Sequence, residues 1–191
     1  MRIGLYGGSF NPVHHGHLML AHDAFETLHL DRLFFIPAAV SPHKLSAPPV
    51  SPELRVKMLL AAIDGDTRFS VDEIELHRPP PSFAIDTLRE IACRYAGARL
   101  FYLIGEDNLA ALSTWHKIDE MMTLAHFVVA RRQGNGLVAA EPSGMTFLPR
   151  VVDISSTEIR EAVAQGRSFR PMVHPEVANI ITKMNLYAPP G

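Results

Sequence analysis

Cysteine is almost absent from this chain of 191 residues, in which Cys93 is the single one. A disulfide framework within the chain is therefore excluded, and the composition is typical of a protein of the reducing cytoplasm. The chain also lacks an apolar run long enough to span a bilayer. Its first residues, MRIGLYG, lack the basic and apolar regions of a secretory signal. We therefore expect a cytoplasmic protein with no membrane partner.

An excess of charge of either sign is also missing. The 18 Lys and Arg residues are nearly balanced by 20 Asp and Glu residues, which gives a formal net charge of −2. A nucleic-acid partner is not expected, because no general positive field would attract one. The chain shows no internal repeat and no long linker, and its length suits one domain over residues 1–191. Nothing in the sequence sets the number of subunits.

Several familiar site motifs are lacking. There is no G-x-G-x-x-G and no G-x-x-x-x-G-K-[ST], so neither a dinucleotide dehydrogenase nor a P-loop ATPase is supported. H-E-x-x-H and C-x-x-C are also absent. His14 and His17 stand three residues apart, but a zinc site needs further ligands that no motif supplies. We therefore expect no metal site formed by protein ligands.

What the chain does contain is an alternation of strand-like and helix-like segments. Buried strands are predicted at Arg2–Tyr6, Arg32–Pro37, Phe69–Leu76, Arg99–Gly105 and His126–Ala130, with a further strand-like run ending at Val152. Amphipathic segments lie between them, and Ser51 and Ser155 stand where helix caps are expected. This order predicts an α/β fold, a Rossmann-like parallel sheet with helices on both faces.

The segment GGSFNPVHHGH, residues 7–17, follows the first strand and leads into the first helix. In open α/β sheets, ligands bind at the carboxyl ends of the strands. Glycine lets a phosphate approach the backbone there, and a helix N-terminus offers free N–H groups and a partial positive charge. Isolated histidines at a turn would most often be structural. Two histidines bracketing Gly16 after a Gly-Gly turn favour a phosphate site.

A second segment, ISSTEIR, residues 154–160, has the same character. Ser155 and Glu158 form a capping box, which is an ordinary way to begin a helix. The hydroxyls, the free amides and Arg160 together also suit a polyphosphate. Because this helix follows the last strand-like run, it belongs at the same edge of the sheet.

These two segments resemble the HxGH and ISSTxxR motifs of the nucleotidyltransferase superfamily. The segments between them, SPHK, SFAIDTL, IGEDNLAALSTWHKIDEM and VVARR, are similar in order to bacterial nicotinate mononucleotide adenylyltransferases. The resemblance implies a nucleotidyltransferase fold and a transfer of the adenylyl group of ATP to nicotinate mononucleotide. The products would be deamido-NAD and pyrophosphate, in NAD biosynthesis. It also implies Mg²⁺, bound mainly through the ATP phosphates.

The resemblance also implies roles for individual residues. His14, His17 and Arg160 would be catalytic and would contact the ATP phosphates. The further ATP-binding residues would be Gly8, Ser9, Phe10, Asp107, Ser155 and Ser156. The mononucleotide would be bound by His43, Lys44, Thr87, Trp115 and His116, with Trp115 stacking on the pyridine ring.

The chain departs from the family pattern at Phe83 and Ala84, where Tyr and Thr are common, so a hydroxyl contact from residue 84 is absent. Nicotinamide mononucleotide therefore stays open as the acceptor. Phosphopantetheine also stays open, because its adenylyltransferase shares the HxGH loop, although Trp115 and the IDTL segment argue against it. HIGH-type aminoacyl-tRNA synthetase chemistry is disfavoured, because the chain is short and has no KMSKS-like loop. A nucleotide-binding regulator on the same fold is the alternative that is not an enzyme.

Overall fold

A six-stranded parallel sheet organises the computed structural model, which describes residues 1–39, 50–79, 81–132 and 144–189, without the side chain of Arg132. The strand order is β3-β2-β1-β4-β5-β6. The strands are β1 (Arg2–Gly8), β2 (Arg32–Pro37), β3 (Phe69–Val71), β4 (Arg99–Gly105), β5 (Ala125–Arg132) and β6 (Thr146–Val152). The helices are α1 (His15–Thr27), α2 (Pro52–Ala62), α3 (Ala84–Arg94), α4 (Ile118–Leu124), α5 (Ser156–Ala164) and α6 (Pro175–Lys183).

Two apolar cores cover the two faces of this sheet. On one face, Phe35 and Val128 pack with side chains of α1, α2, α5 and α6. On the other face, Leu5 and Phe127 pack with α3 and α4. The central strands are buried on both sides, which is why they are nearly continuous apolar runs. The predicted α/β fold with helices on both faces is confirmed.

The order of the strands creates one special position. β1 pairs in parallel with both β2 and β4. The strands β2 and β3 therefore lie on one side of β1, and β4, β5 and β6 lie on the other side. Open α/β sheets bind ligands at such a switch point, outside the carboxyl ends of the strands. β1 ends there at Gly8, the second glycine of the Gly-Gly pair.

Both predicted serine caps are present. Ser51 Oγ accepts a hydrogen bond from the Leu54 amide at 3.4 Å, and Pro52 occupies the first turn of α2. Ser155 Oγ accepts from the Glu158 amide at 3.1 Å. Each serine satisfies one of the amides that a helix start leaves without a partner, which is why these helices begin where they do.

One prediction about a strand needs correction. The strand predicted over Phe69–Leu76 ends at Val71, because Asp72 Oδ1 accepts from the Ile74 amide at 3.1 Å and turns the chain. The region before Trp115 is a 3₁₀ helix, Glu106–Thr114, followed by α4.

The two edges of the sheet are irregular. β3 has only three residues. Between β5 and β6 the register shifts, so that residues 148–150 stand opposite Ala130. Among the helices in the described ranges, none combines the length and apolar character that a bilayer crossing requires.

Candidate active site

A cavity of about 810 Å³ opens at the carboxyl ends of β1 and β4, at the switch point of the sheet. Segments far apart in sequence meet there: the end of β1, the start of α1, the start of the 3₁₀ helix and the start of α5. The sequence-predicted residues that line it are Gly8, Ser9, Phe10, His14, His17, Asp107, Ser155, Ser156 and Arg160. All nine ATP-site candidates thus lie around one cavity.

The two histidines form a compact pair at the start of α1. Their ring centroids are 3.7 Å apart, and the His14 amide donates to His17 Nδ1 at 3.3 Å. Since Nδ1 accepts this hydrogen bond, the neutral His17 ring carries its proton on Nε2 and can donate from that atom. Phe10, which adopts φ 46°, packs edge-on against the His17 ring at 5.0 Å. The backbone and Phe10 therefore fix the orientation of His17.

Glycine is required in this segment for close packing. A Cβ on Gly8 would stand 2.9 Å from the Phe10 ring. A Cβ on Gly16 would stand 2.6 Å from Val152 and 2.9 Å from His14. These distances are shorter than carbon side chains tolerate, so larger residues would displace the Phe10 ring or the His14 ring.

The start of α5 is joined to the histidine segment by hydrogen bonds. Ser156 Oγ donates to the Pro12 carbonyl at 2.9 Å. Arg160 Nη1 donates to the Asn11 carbonyl at 2.9 Å, and Nη2 donates to Thr157 Oγ1 at 3.1 Å. The guanidinium is thus held beside the cavity by two partners, and the two motifs form one unit although about 140 residues separate them.

Asp107 lies at the beginning of the 3₁₀ helix, on the β4 side of the cavity. Its Oδ1 accepts from Asn108 Nδ2 at 3.4 Å, and the same Nδ2 donates to the Gly105 carbonyl at 3.3 Å. The carboxylate is exposed to the cavity at the end of a central strand, where it can accept hydrogen bonds from a hydroxylated ligand.

The predicted mononucleotide residues that the structure describes do not line this cavity. Trp115 is half-buried and packs edge-on against Tyr102 with ring centroids 6.3 Å apart. His116 is exposed, and its ring lies 4.6 Å from that of Phe83. Neither lines the cavity at the switch point. His43 and Lys44 lie outside the described residues.

Thr87 is completely buried, so it does not contact the mononucleotide directly, contrary to what the resemblance implies. Its hydroxyl donates to Glu75 Oε1 at 2.9 Å and accepts from Arg78 Nη1 at 3.1 Å. Burial raises the pKa of the Glu75 carboxyl, which the Thr87 hydrogen bond and Arg78 oppose. Thr87 can therefore influence a ligand only through this network beneath the start of α3.

Sequence reasoning missed Arg55, which lines the cavity from α2 and is only 1% exposed. Its Nη1 donates to the Ser9 carbonyl at 2.9 Å, while Nε and Nη2 have no hydrogen-bond partner among the described residues. Burial lowers the pKa of this guanidinium, and Tyr187 and Glu53 oppose that effect. A buried cation of this kind favours an anionic ligand.

A second hollow, of about 540 Å³, lies between β3 and α3. Both of its arginines are paired with carboxylates of its wall: Arg94 Nη1 lies 2.5 Å from Asp72, and Arg78 Nη2 lies 3.2 Å from Glu90. Its cations are therefore already neutralised, whereas Arg55 is not. The cavity at the switch point is the better anion site. Within the described ranges, no group of three or more His, Cys, Asp or Glu residues could hold a metal ion.

The cytidylyltransferase-like family matches this chain over residues 5–162, so its class is that of the nucleotidyltransferases. A relative from Thermus thermophilus is 44% identical over 98% of this chain and 100% of its own length. One from Exiguobacterium sibiricum is 40% identical over the same shares. Both carry the name "Probable nicotinate-nucleotide adenylyltransferase". The chain belongs to the nicotinate-nucleotide adenylyltransferase family.

Solved structures agree with the fold. The nicotinic acid mononucleotide adenylyltransferase of Plasmodium falciparum complexed with NaAD superposes with a TM-score of 0.76, at 18% identity, over 97% of both chains. The same enzyme complexed with APC gives a TM-score of 0.74 over 97% of this chain and 96% of that chain, at 17% identity. At these identities the likeness concerns the fold.

Proposed function

We propose that this enzyme transfers the adenylyl group of ATP to nicotinate mononucleotide and that the cavity at the switch point binds the triphosphate. The observation that carries the proposal is that the histidine pair and Arg160 line one cavity, with Arg160 hydrogen-bonded to the histidine segment at Asn11. The family to which the chain belongs supports it. A phosphate oxygen of the mononucleotide bonds to the α-phosphorus of ATP, and the bond from that phosphorus to the bridging oxygen breaks. The products are deamido-NAD and pyrophosphate.

The nucleophile in this reaction needs little activation. A phosphate monoester has a second pKa of about 6, so its oxygens are largely ionised at neutral pH. The barrier comes from repulsion between the two anions and from charge that develops on the pyrophosphate. Positioned cationic and N–H donors lower both, and a Ser-His-Asp set or a pair of carboxylates is not required.

The donors around the cavity suit this task. His17 donates from Nε2, and Arg160 presents its guanidinium group to phosphate oxygens. Arg55 is buried behind the Ser9 carbonyl, where it adds positive charge to this wall and holds the turn. His14 and the backbone of residues 8–10 complete the wall that faces the triphosphate, with Ser155 and Ser156 at the start of α5. Asp107 is assigned to the ribose of ATP, since a carboxylate can accept hydrogen bonds from ribose hydroxyls.

The mononucleotide is assigned to the neighbouring surface. Trp115 offers an aromatic face for the pyridine ring, and His116 and the backbone amides beside it can donate to the nicotinate carboxylate. Thr87 fixes the start of α3 through its buried hydrogen bond to Glu75. His43 and Lys44 are assigned to the same ligand on the resemblance alone.

Mg²⁺ is proposed as the cofactor, carried by ATP. Mg²⁺ keeps several waters and is commonly bound through substrate phosphates and one or two carboxylates, which suits a cavity with few acidic side chains. When bound, it would neutralise charge on the β- and γ-phosphates. The chain's own residues hold and orient the triphosphate around it.

One experiment tests the substrate. Pyrophosphate release is measured with ATP and, in turn, nicotinate mononucleotide, nicotinamide mononucleotide and phosphopantetheine. We expect the highest kcat/KM with nicotinate mononucleotide, because its carboxylate forms charge-assisted hydrogen bonds that the neutral amide cannot form. A higher value with either other acceptor would contradict the substrate, and no release with any would favour a nucleotide-binding regulator.

Two further properties belong to this proposal. Residues 1–191 act as one nucleotidyltransferase domain, since the cavity is lined by residues from Tyr6 to Tyr187. The enzyme works in the cytoplasm, in keeping with its single, exposed thiol at Cys93.

A further inference from the structure

The C-terminal segment reaches into the ATP cavity. After α6 ends at Lys183, the chain turns back, and the Leu186 amide donates to the Ile181 carbonyl at 3.0 Å. Leu186 and Tyr187 then pack against the larger apolar core. Tyr187 lies in the left-handed region at φ 64° and lines the cavity. Residues other than glycine seldom adopt this conformation, and such positions concentrate at functional sites.

The Tyr187 hydroxyl contacts one residue of the phosphate-binding segment. It donates to Asn11 Oδ1 at 2.9 Å, and the same oxygen accepts from the Val50 amide at 3.3 Å. Burial raises the pKa of the Tyr187 phenol, while Arg160 and Arg55 act in the opposite direction. The hydroxyl therefore keeps its proton across the physiological range and donates it to Asn11.

Asn11 is the point at which several parts of the molecule meet. Its carbonyl accepts from Arg160, and its side chain accepts from Tyr187. The preceding Ser9 accepts from Arg55, and the following Pro12 accepts from Ser156. The turn that bears the phosphate-binding amides is thus held from α2, from α5 and from the segment that follows α6.

We propose that Tyr187 is a positioning residue for ATP, which acts by holding the side chain of Asn11. It orients the turn over residues 8–11 and, through the Asn11 carbonyl, the guanidinium of Arg160. This inference rests on the proposed function, because it assumes that the cavity binds a triphosphate. It adds that the segment after α6 completes that site through Tyr187.

The test is Tyr187→Phe, which removes the hydroxyl and keeps the ring. One neutral hydrogen bond corresponds to a change between about 2-fold and about 12-fold in an equilibrium constant. We expect KM for ATP to rise by that factor, while kcat and KM for nicotinate mononucleotide stay within about 2-fold. The Kd of a non-hydrolysable ATP analogue, measured by calorimetry without an acceptor, rises in parallel.

Tyr95→Phe is the matched control. Tyr95 directly follows α3 on the other face of the sheet, where the centroid of its ring lies 5.7 Å from that of Phe34. It does not line the cavity, so both KM values and the Kd of the ATP analogue are expected to stay at the wild-type level. In a double-mutant cycle with Asn11→Ala, the effect of Tyr187→Phe on the Kd disappears.

Three results would overturn the role of Tyr187. They are a wild-type Kd for the analogue in Tyr187→Phe, an equal rise in both KM values, and a fall in kcat without a change in affinity for ATP. The calorimetric measurement needs no acceptor. A wild-type enzyme that binds the analogue but rejects nicotinate mononucleotide would therefore contradict the proposed substrate and leave the role of Tyr187 intact.

Discussion

Replacing Arg55 by Met separates a ligand-binding role from a structural one. Met is similar in length, it carries no charge, and it suits irregular apolar sites. The substitution removes the hydrogen bond to Ser9 and the two guanidinium nitrogens that have no partner among the described residues. Because Arg55 is 1% exposed, water cannot take the place of its lost hydrogen bond to Ser9.

The structure sets the expected size of the change in kcat/KM for ATP and of the change in stability. The hydrogen bond from the charged guanidinium to Ser9 holds the phosphate-binding turn. Such a bond is worth about 1.5–3 kcal/mol, which limits the loss of kcat/KM for ATP to about 10- to 150-fold. The effect on stability is smaller. Burial disfavours the charged guanidinium, as the lowered pKa of Arg55 shows, and replacing buried charges by apolar residues of similar volume is often neutral. We expect the unfolding midpoint to change by only a few degrees.

The assay is steady-state pyrophosphate release with ATP varied, together with thermal unfolding with and without the ATP analogue. The analogue should stabilise the wild type more than Arg55→Met. Arg68→Met is the control, since Arg68 is a half-buried arginine that is paired with Asp66 and does not line the cavity. Wild-type kcat/KM in Arg55→Met together with a large loss of stability would refute the reasoning and make Arg55 a structural clamp on Ser9.

Three further substitutions test individual groups. His17→Ala should lower kcat by about 10²–10³ with little change in unfolding midpoint, because it removes a donor aimed at developing charge. Wild-type turnover would exclude that role. Arg160→Lys should lower kcat/KM for ATP about 10-fold, since a single ammonium cannot reproduce the planar fork; unchanged ATP kinetics would leave ISSTEIR as a capped helix only. Ala84→Thr should raise the ratio of kcat/KM for nicotinate over nicotinamide mononucleotide about 5-fold, and an unchanged ratio would place residue 84 away from the ring carboxylate.

Segments with a single strong local signal were predictable from the sequence. β2 and β4 have the predicted bounds, because each is an apolar run closed by a turn. The helix after Ser155 begins as expected, because a serine cap is a local interaction. The position of the cavity at the switch point was also predictable, since glycine and histidine after the first strand point to the carboxyl edge of the sheet.

Features that depend on contacts distant in sequence were not predictable. α2 has apolar residues around most of its circumference, so its periodicity did not show that Arg55 faces the interior. The alternation in FSVDEIEL is typical of a strand, yet Glu75 turns inward to reach Thr87, twelve residues further along. Tyr187 carries no motif of its own, and its contact with Asn11 spans 176 residues.

The short β3 and the shifted register beside β6 also bear on how copies of this chain meet one another. An exposed edge strand is a template on which another chain can add a strand and begin to aggregate. β3 offers only three residues to such a partner. On the opposite edge, Pro149 has no backbone N–H to donate, and Arg150 is exposed and paired with Asp23. Both margins of the sheet are therefore poor seeds for strand addition, which favours a protein that stays dispersed at high concentration.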